Sequence, residues 1–291
     1  LGLAFNTKNF EIENKSIFAD LTFHMTDTLD LIAGGRFSWD QVDKSLLANG
    51  IGPTCCFPGS PGFPGGPGFA FFQSFANSLR PEAAAESDFT DFSPRFGARF
   101  QVMDEVNIYA MISKGYKPGG HSVGNNTNAA GSPAFSTPYG KETLWNYELG
   151  FKSELFDSRL RLNASLFHLK WRDLQFESFF FLTPGDLATN FEQTINIPDA
   201  KADGVEAEFV ALVSDNLTIS GGIGYIQTKI LSQQTVELSG GWAPELQGLG
   251  LPKAPELTAN LVGEYRWPIG NNEAWLRLEY IHRDGQYSDI E

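Results

Sequence analysis

Phe92-Ser93-Pro94-Arg95-Phe96-Gly97-Ala98-Arg99-Phe100-Gln101-Val102 decides the fold. Alternate side chains of a β-strand point to opposite faces. Here one set reads Phe92, Pro94, Phe96, Ala98, Phe100, Val102 and the other Ser93, Arg95, Gly97, Arg99, Gln101. Trp145–Leu155 repeats the pattern. Trp145, Tyr147, Leu149, Phe151 and Leu155 lie on one side with Ser153 as the exception, and Asn146, Glu148, Gly150, Lys152 and Glu154 lie on the other. Similar faces recur at Ile17–Met25, Leu29–Trp39, Val106–Ile112, Leu160–Leu166, Val205–Val213, Leu217–Tyr225, Leu257–Trp267 and Ala274–Tyr280, making ten candidate strands. The expected fold class is all-β.

Five hairpins join these strands in pairs through short turns at Asp27, Asp104, Asp157, Asp215 and Gly270-Asn271. Between the hairpins lie long connections rich in Gly, Pro, Asn and Ser, about 40–87, 116–141, 176–200 and 231–255. Strict alternation of short and long links is the layout of a transmembrane antiparallel β-barrel, with the long links as extracellular loops. A soluble β-sandwich would also alternate, with its apolar face turned to a core. Most of the strands have the length that a tilted strand needs to cross a bilayer, longer than the usual globular strand. Their polar face carries both signs of charge: Asp20, Arg36, Arg95, Arg99, Glu148, Lys152, Arg161, Glu206, Glu208, Glu264, Arg266, Arg277 and Glu279. A water-filled or plugged lumen accounts for such a wall. Trp39, Trp145 and Tyr147 sit toward the long-loop ends, and Trp267 and Trp275 flank the turn at Gly270, as interfacial girdles require.

Composition narrows the function classes. No apolar run approaches the length of a spanning helix, and the mean hydropathy is −0.21, so membrane residence requires a barrel. A net charge of −14 offers no basic stripe to neutralise phosphate, which argues against nucleic acid and against anionic lipid head groups as partners. With short turns on the periplasmic side, both chain ends fall on the extracellular side. The chain therefore reads as an internal piece of a larger barrel, with a further strand expected before Leu1 and another after Glu291.

Several segments, in order, resemble the barrel domain of TonB-dependent outer-membrane receptors. They are Ser93-Pro94-Arg95-Phe96-Gly97, Asn107-Ile108-Tyr109-Ala110, Lys114-Gly115-Tyr116-Lys117-Pro118-Gly119-Gly120, Asn146 through Glu154, Arg159 through Ala164 leading to Trp171-Arg172-Asp173-Leu174-Gln175, and Ala202 through Glu208. The resemblance implies a 22-stranded barrel of which these strands form somewhat under half, closed by an N-terminal plug domain that this chain does not contain. It further implies a location in the bacterial outer membrane and a small nutrient bound at the extracellular face. Energy would come from the TonB complex, reached through the N-terminal part. The leading reading is import of a scarce nutrient, a ferric siderophore or similar iron complex. Uptake of a carbohydrate, cobalamin or other nutrient by the same family is the alternative, and a passive porin or structural barrel is the rival class.

Arg36, Arg95, Arg99, Glu148, Lys152, Arg161, Glu206, Glu208, Glu264 and Arg266 are the candidates for facing the lumen and its plug. Ligand candidates lie on the outward loops: Tyr116, Lys117 and His121; Phe179 and Phe180; and Trp242. Aromatic rings stack on many ligand classes, and Lys117 and His121 could attract an anionic ferric chelate. The longest loop carries Cys55-Cys56 before a Pro/Gly stretch with several Phe, where a disulfide is favoured over a metal site. Gly34-Gly35 and Gly221-Gly222 are expected to relieve crowding within strands. No cofactor, metal site or enzymatic activity is expected. The four histidines lie far apart in sequence, and Asn163 and Ser165 share a strand parity that His168 does not.

Overall fold

A computed structural model describes residues 3–52, 82–125, 134–181, 190–231 and 246–287. Among them are twelve strands and no helix. The strands are β1 (Leu3–His24), β2 (Leu29–Gly52), β3 (Glu82–Met103), β4 (Val106–Lys117), β5 (Gly120–Asn125), β6 (Ala134–Tyr139), β7 (Glu142–Leu155), β8 (Leu160–Phe181), β9 (Asn190–Leu212), β10 (Leu217–Ile230), β11 (Leu257–Ile269) and β12 (Asn272–Arg283). Ten of them form one antiparallel meander in the order β1-β2-β3-β4-β7-β8-β9-β10-β11-β12, and β5 pairs with β6 in a separate two-stranded sheet. All ten candidate strands are present.

The five short turns are also where the sequence puts them. At Gly270-Asn271 the chain reverses in two residues, and Gly270 takes the positive φ of 61° that such a turn requires. The Thr26 hydroxyl accepts the Leu29 amide at 3.0 Å, and the Ser214 hydroxyl accepts the Leu217 amide at 3.1 Å. These side chains satisfy backbone donors that the tight turns would otherwise leave open.

Several strands run farther than the alternation predicts, and segments expected as loops are in part paired backbone. β2 continues to Gly52 against β1 and to Leu47 against β3, and β8 pairs with β9 as far as Phe181 and Asn190. The 116–141 connection contains the β5–β6 hairpin. Alternation marks a strand only where its two faces meet different surroundings. Beyond the membrane edge both faces are wet, so the hydrogen-bonded ladder continues without the pattern.

Cross-strand partners share a face, so the register assigns every side chain. One face gathers Leu21, Phe23, Phe96, Leu149, Leu166, Ile223, Leu261, Leu276 and Leu278, all exposed. An apolar surface of this extent is far larger than a soluble monomer carries and suits contact with lipid. Trp39 packs on Phe37 at 4.6 Å, Trp145 stacks near Tyr147, and Tyr265 stacks on Trp267 at 5.8 Å, giving aromatic pairs toward both ends of this face. Trp275 is a correction to the expected girdle. It stands opposite Arg266 on the other face, because its parity is that of Arg277 and Glu279.

Candidate functional site

All ten residues expected to face a lumen fall on the polar face of the sheet, and most pair with neighbours there. The Arg95 guanidinium approaches Asp20 at 3.4 Å, Arg99 donates to Asp30 at 2.9 Å, Arg161 to Glu154 at 2.8 Å, and Arg266 to both Glu264 and Glu273. Tyr109 donates to Glu148 at 2.6 Å, and Lys152 lies over the Tyr109 ring. Asn163 donates to Glu208 at 2.9 Å, and Arg36 reaches Ser38 and Asn14. Glu206 sits between these groups in a hollow of about 600 Å³ with Tyr109, Glu148, Lys152, Asn163 and Ser165. The exposed pairs among these, such as Arg161–Glu154 and Arg266–Glu273, each contribute about 0–1 kcal/mol, so their effect is to define a surface for recognition more than to hold the sheet.

The β5–β6 hairpin organises the long-loop end. A Cβ placed on Gly119 would fall 2.6 Å from the Phe89 ring, one placed on Gly120 would lie 3.4 Å from Val42, and Ser87 and His121 share a 3.0 Å hydrogen bond. Phe89, Ser87 and Val42 have the parity of the polar face, so the hairpin is folded onto that face over β2 and β3. On its other flank it meets β9, where the Thr194 amide donates to the Ser122 hydroxyl at 2.8 Å. In the sheet, β4, β7 and β8 separate β3 from β9. The hairpin thus bridges across three strands.

Its base is clamped by polar side chains from the long β8–β9 extension. Gln175 donates to the Pro118 carbonyl at 2.7 Å, and Asn196 both accepts from the Gly140 amide at 2.6 Å and donates to the Gly140 carbonyl at 3.0 Å. Below the base, Asp91 is only 2% exposed and receives Lys114 at 2.8 Å and Lys141 at 2.9 Å. Burial, and then the Glu177 carboxylate, push the Tyr139 hydroxyl above the ordinary tyrosine range.

The ligand candidates are not brought into one pocket. Tyr116 and Lys117 end β4, and Tyr116 holds a buried hydroxyl with no partner among the described residues. His121 is on β5. Phe179 and Phe180 lie on the β8 backbone opposite Glu192 and Phe191, with side chains outside the described residues. Trp242, Cys55 and Cys56 also lie outside the described residues. The sequence reading did not find Asp91, Lys141, Gln175 or Asn196. Only Asp91 carried a signal, its polar parity in β3.

His168 lies on the apolar face, bonded to Asp203 at 2.6 Å, while Ser165 lies on the polar face opposite Glu206. The two cannot act on one substrate atom.

A family model described as TonB dependent receptor-like, beta-barrel matches residues 2–291. The chain belongs to the TonB-dependent receptor β-barrel family. It is an outer-membrane β-barrel wall, and the family's members are transport receptors. The chain is 27% identical over 201 residues to the metal-pseudopaline receptor CntO of Pseudomonas aeruginosa, covering 68% of this chain and 24% of that protein. It is 26% identical over 200 residues to the pesticin receptor of Yersinia enterocolitica, covering 67% of this chain and 23% of that protein. The crystal structure of the ferric yersiniabactin uptake receptor FyuA from Yersinia pestis superposes with a TM-score of 0.70 at 20% identity, covering 98% of this chain and 36% of that one. The chain thus spans about a quarter of the curated relatives it matches, and the ten-stranded sheet of this receptor barrel has open edges at β1 and β12 among the described residues.

Proposed function

We propose that this barrel wall belongs to an energised receptor importing an iron complex, with a ferric siderophore as the substrate class. The observation that carries the reading is the β5–β6 hairpin, folded onto the polar face and bridging from β2 and β3 to β9. A wall whose long-loop end carries an ordered hairpin of this kind suits a gated binding mouth more than an open pore. A relative by sequence is a metal-pseudopaline receptor, which supports a metal-containing substrate class.

In this reading the polar face lines a lumen occupied by a plug domain within a 22-stranded barrel. Arg36, Arg95, Arg99, Glu148, Lys152, Arg161, Glu206, Glu208, Glu264 and Arg266 face that plug. Asp40 Oδ2 and Asn146 Oδ1, both of polar-face parity, are buried without partners among the described residues, and such atoms call for a polar neighbour. Ligand approaches over Tyr116, Lys117 and His121, with Phe179, Phe180 and Trp242 on the adjoining loops. Energy is supplied through the TonB complex.

Gly119 supplies the test. A Cβ there would run into the Tyr139 carbonyl and the Phe89 ring, so Gly119→Val must displace the hairpin. Cells carrying the native receptor under iron limitation should accumulate labelled ferric chelate in a manner that collapses when the proton gradient is discharged. Gly119→Val should lower that uptake about tenfold or more at an unchanged level of folded protein. Flux that ignores both the gradient and the substitution would mean a passive pore, and uptake of labelled carbohydrate or cobalamin instead would change the substrate class.

A further inference from the structure

On the apolar face, three consecutive cross-strand rows change character toward the long-loop end. The lowest reads Leu149, Leu166, Val205, Tyr225 across β7, β8, β9 and β10. The next reads Tyr147, His168, Asp203, Gln227, and the third reads Trp145, Lys170, Lys201, Lys229. Aliphatic, then aromatic and polar, then cationic is the order met on leaving a bilayer core for its head groups. The third row is unusual in its own right. Lys170 stands directly opposite Lys201, and Lys201 directly opposite Lys229, a placement that destabilises a sheet when nothing neutralises it.

Neutralisation within the chain is incomplete. Lys201 meets Asp203 at 2.7 Å, and that carboxylate is shared with His168 at 2.6 Å. Among the described residues, Lys170 and Lys229 meet no carboxylate. In a chain of net charge −14, a row of three lysines with one shared carboxylate runs against the average composition.

We propose that the Lys170–Lys201–Lys229 row binds the phosphorylated head group of a lipid in the outer leaflet of the outer membrane. The proposal rests on the reading that the apolar face meets lipid. The acyl chains lie against the Leu149–Leu166–Val205–Tyr225 row, and the phosphate oxygens accept from the ammonium groups one step farther out. A phosphate supplies the several charge-assisted acceptors that three ammoniums on adjacent strands can share. The proposal departs from the expectation, drawn from net charge, that argues against anionic lipid head groups, because the charge that matters here is local to one face.

The native receptor, purified in mild detergent, should retain phosphorylated lipid from the membrane, and K170Q/K201Q/K229Q should retain far less. Each lysine near an anionic membrane surface is worth about fivefold in affinity, and the three together about a hundredfold. The same lipid with its phosphates removed should bind the two proteins alike. If the triple variant does not fold, as judged by heat-dependent gel mobility, K170Q and K229Q taken singly should each show the smaller loss. Equal retention by the native and substituted proteins would overturn the proposal. So would displacement of the lipid by millimolar inorganic phosphate, which would identify a simple anion site. Binding of ferric chelate, measured on the same samples, is expected to be unchanged, so failure of the transport reading and failure of this one are separately visible.

Discussion

Ala164→Arg should destabilise the folded barrel by about 2–4 kcal/mol, and Ser165→Arg, one residue along, should leave it within about 0.5 kcal/mol. Ala164 lies on the apolar face between Phe151 and Ala207 in its row and between Leu162 and Leu166 along its strand. A guanidinium there must leave water for hydrocarbon, and little nearby could compensate it. Ser165 stands opposite Glu206 on the polar face, where an added Arg gains a carboxylate in a wet hollow. The substituent and the strand are the same, so the difference isolates what each face meets. Urea unfolding of the receptor in lipid vesicles measures both values. Equal costs would mean that the two faces meet the same medium, as they would if the apolar face were covered by other protein.

Asp91→Ala should cost about 3 kcal/mol, several times the effect of removing an exposed partner such as Glu154. Asp91 is 2% exposed and holds Lys114, itself only 18% exposed, together with Lys141. Removing it strands the Lys114 ammonium at a point that water reaches poorly, while Lys141, 41% exposed, loses its anchor but keeps solvent. Glu154 is 52% exposed beside Arg161, so solvent replaces that pair at little cost. Because Lys141 lies between β6 and β7, the loss should also free the base of the hairpin, visible as faster amide exchange in Gly120–Asn125 and Ala134–Tyr139. A cost below about 1 kcal/mol, with exchange unchanged, would place this cluster among ordinary surface pairs.

Strand parity explains why so much of this wall was visible in the sequence. Arg95, Arg99, Glu148, Lys152 and Glu208 could be assigned to one face because the side-chain period is two and the registers of these strands run without a slip through them. The extensions Asp40–Gly52, Glu82–Asp91 and Asn190–Asp199 were not visible, since no lipid imposes alternation there. The hairpin was hidden for a related reason. Gly120–Asn125 and Ala134–Tyr139 are short and rich in small and polar residues, and Pro118-Gly119-Gly120 signals a loop. Its position depends on Gln175 and Asn196, which lie tens of residues away in sequence, and on the Asp91 cluster. There the β3–β4 ladder stops at Arg95–Ser113, next to Pro94, which has no amide hydrogen to donate, and Lys114 crosses to Asp91. Contacts made where a ladder ends carry no periodic signature.

The most direct measurement of the central claim, that one face of this sheet meets lipid and the other a lumen, is a cysteine scan from Arg161 to Leu166. Cys55 and Cys56 would be replaced by Ser, and a fluorophore attached at each position in turn in the native receptor within vesicles. A quencher confined to the acyl chains should dim positions 162, 164 and 166, and a water-soluble quencher should dim 161, 163 and 165, with the lumen side partly shielded. A response without alternation, or with the two sets exchanged, would contradict the assignment of faces on which the site, the function and the lipid row all depend.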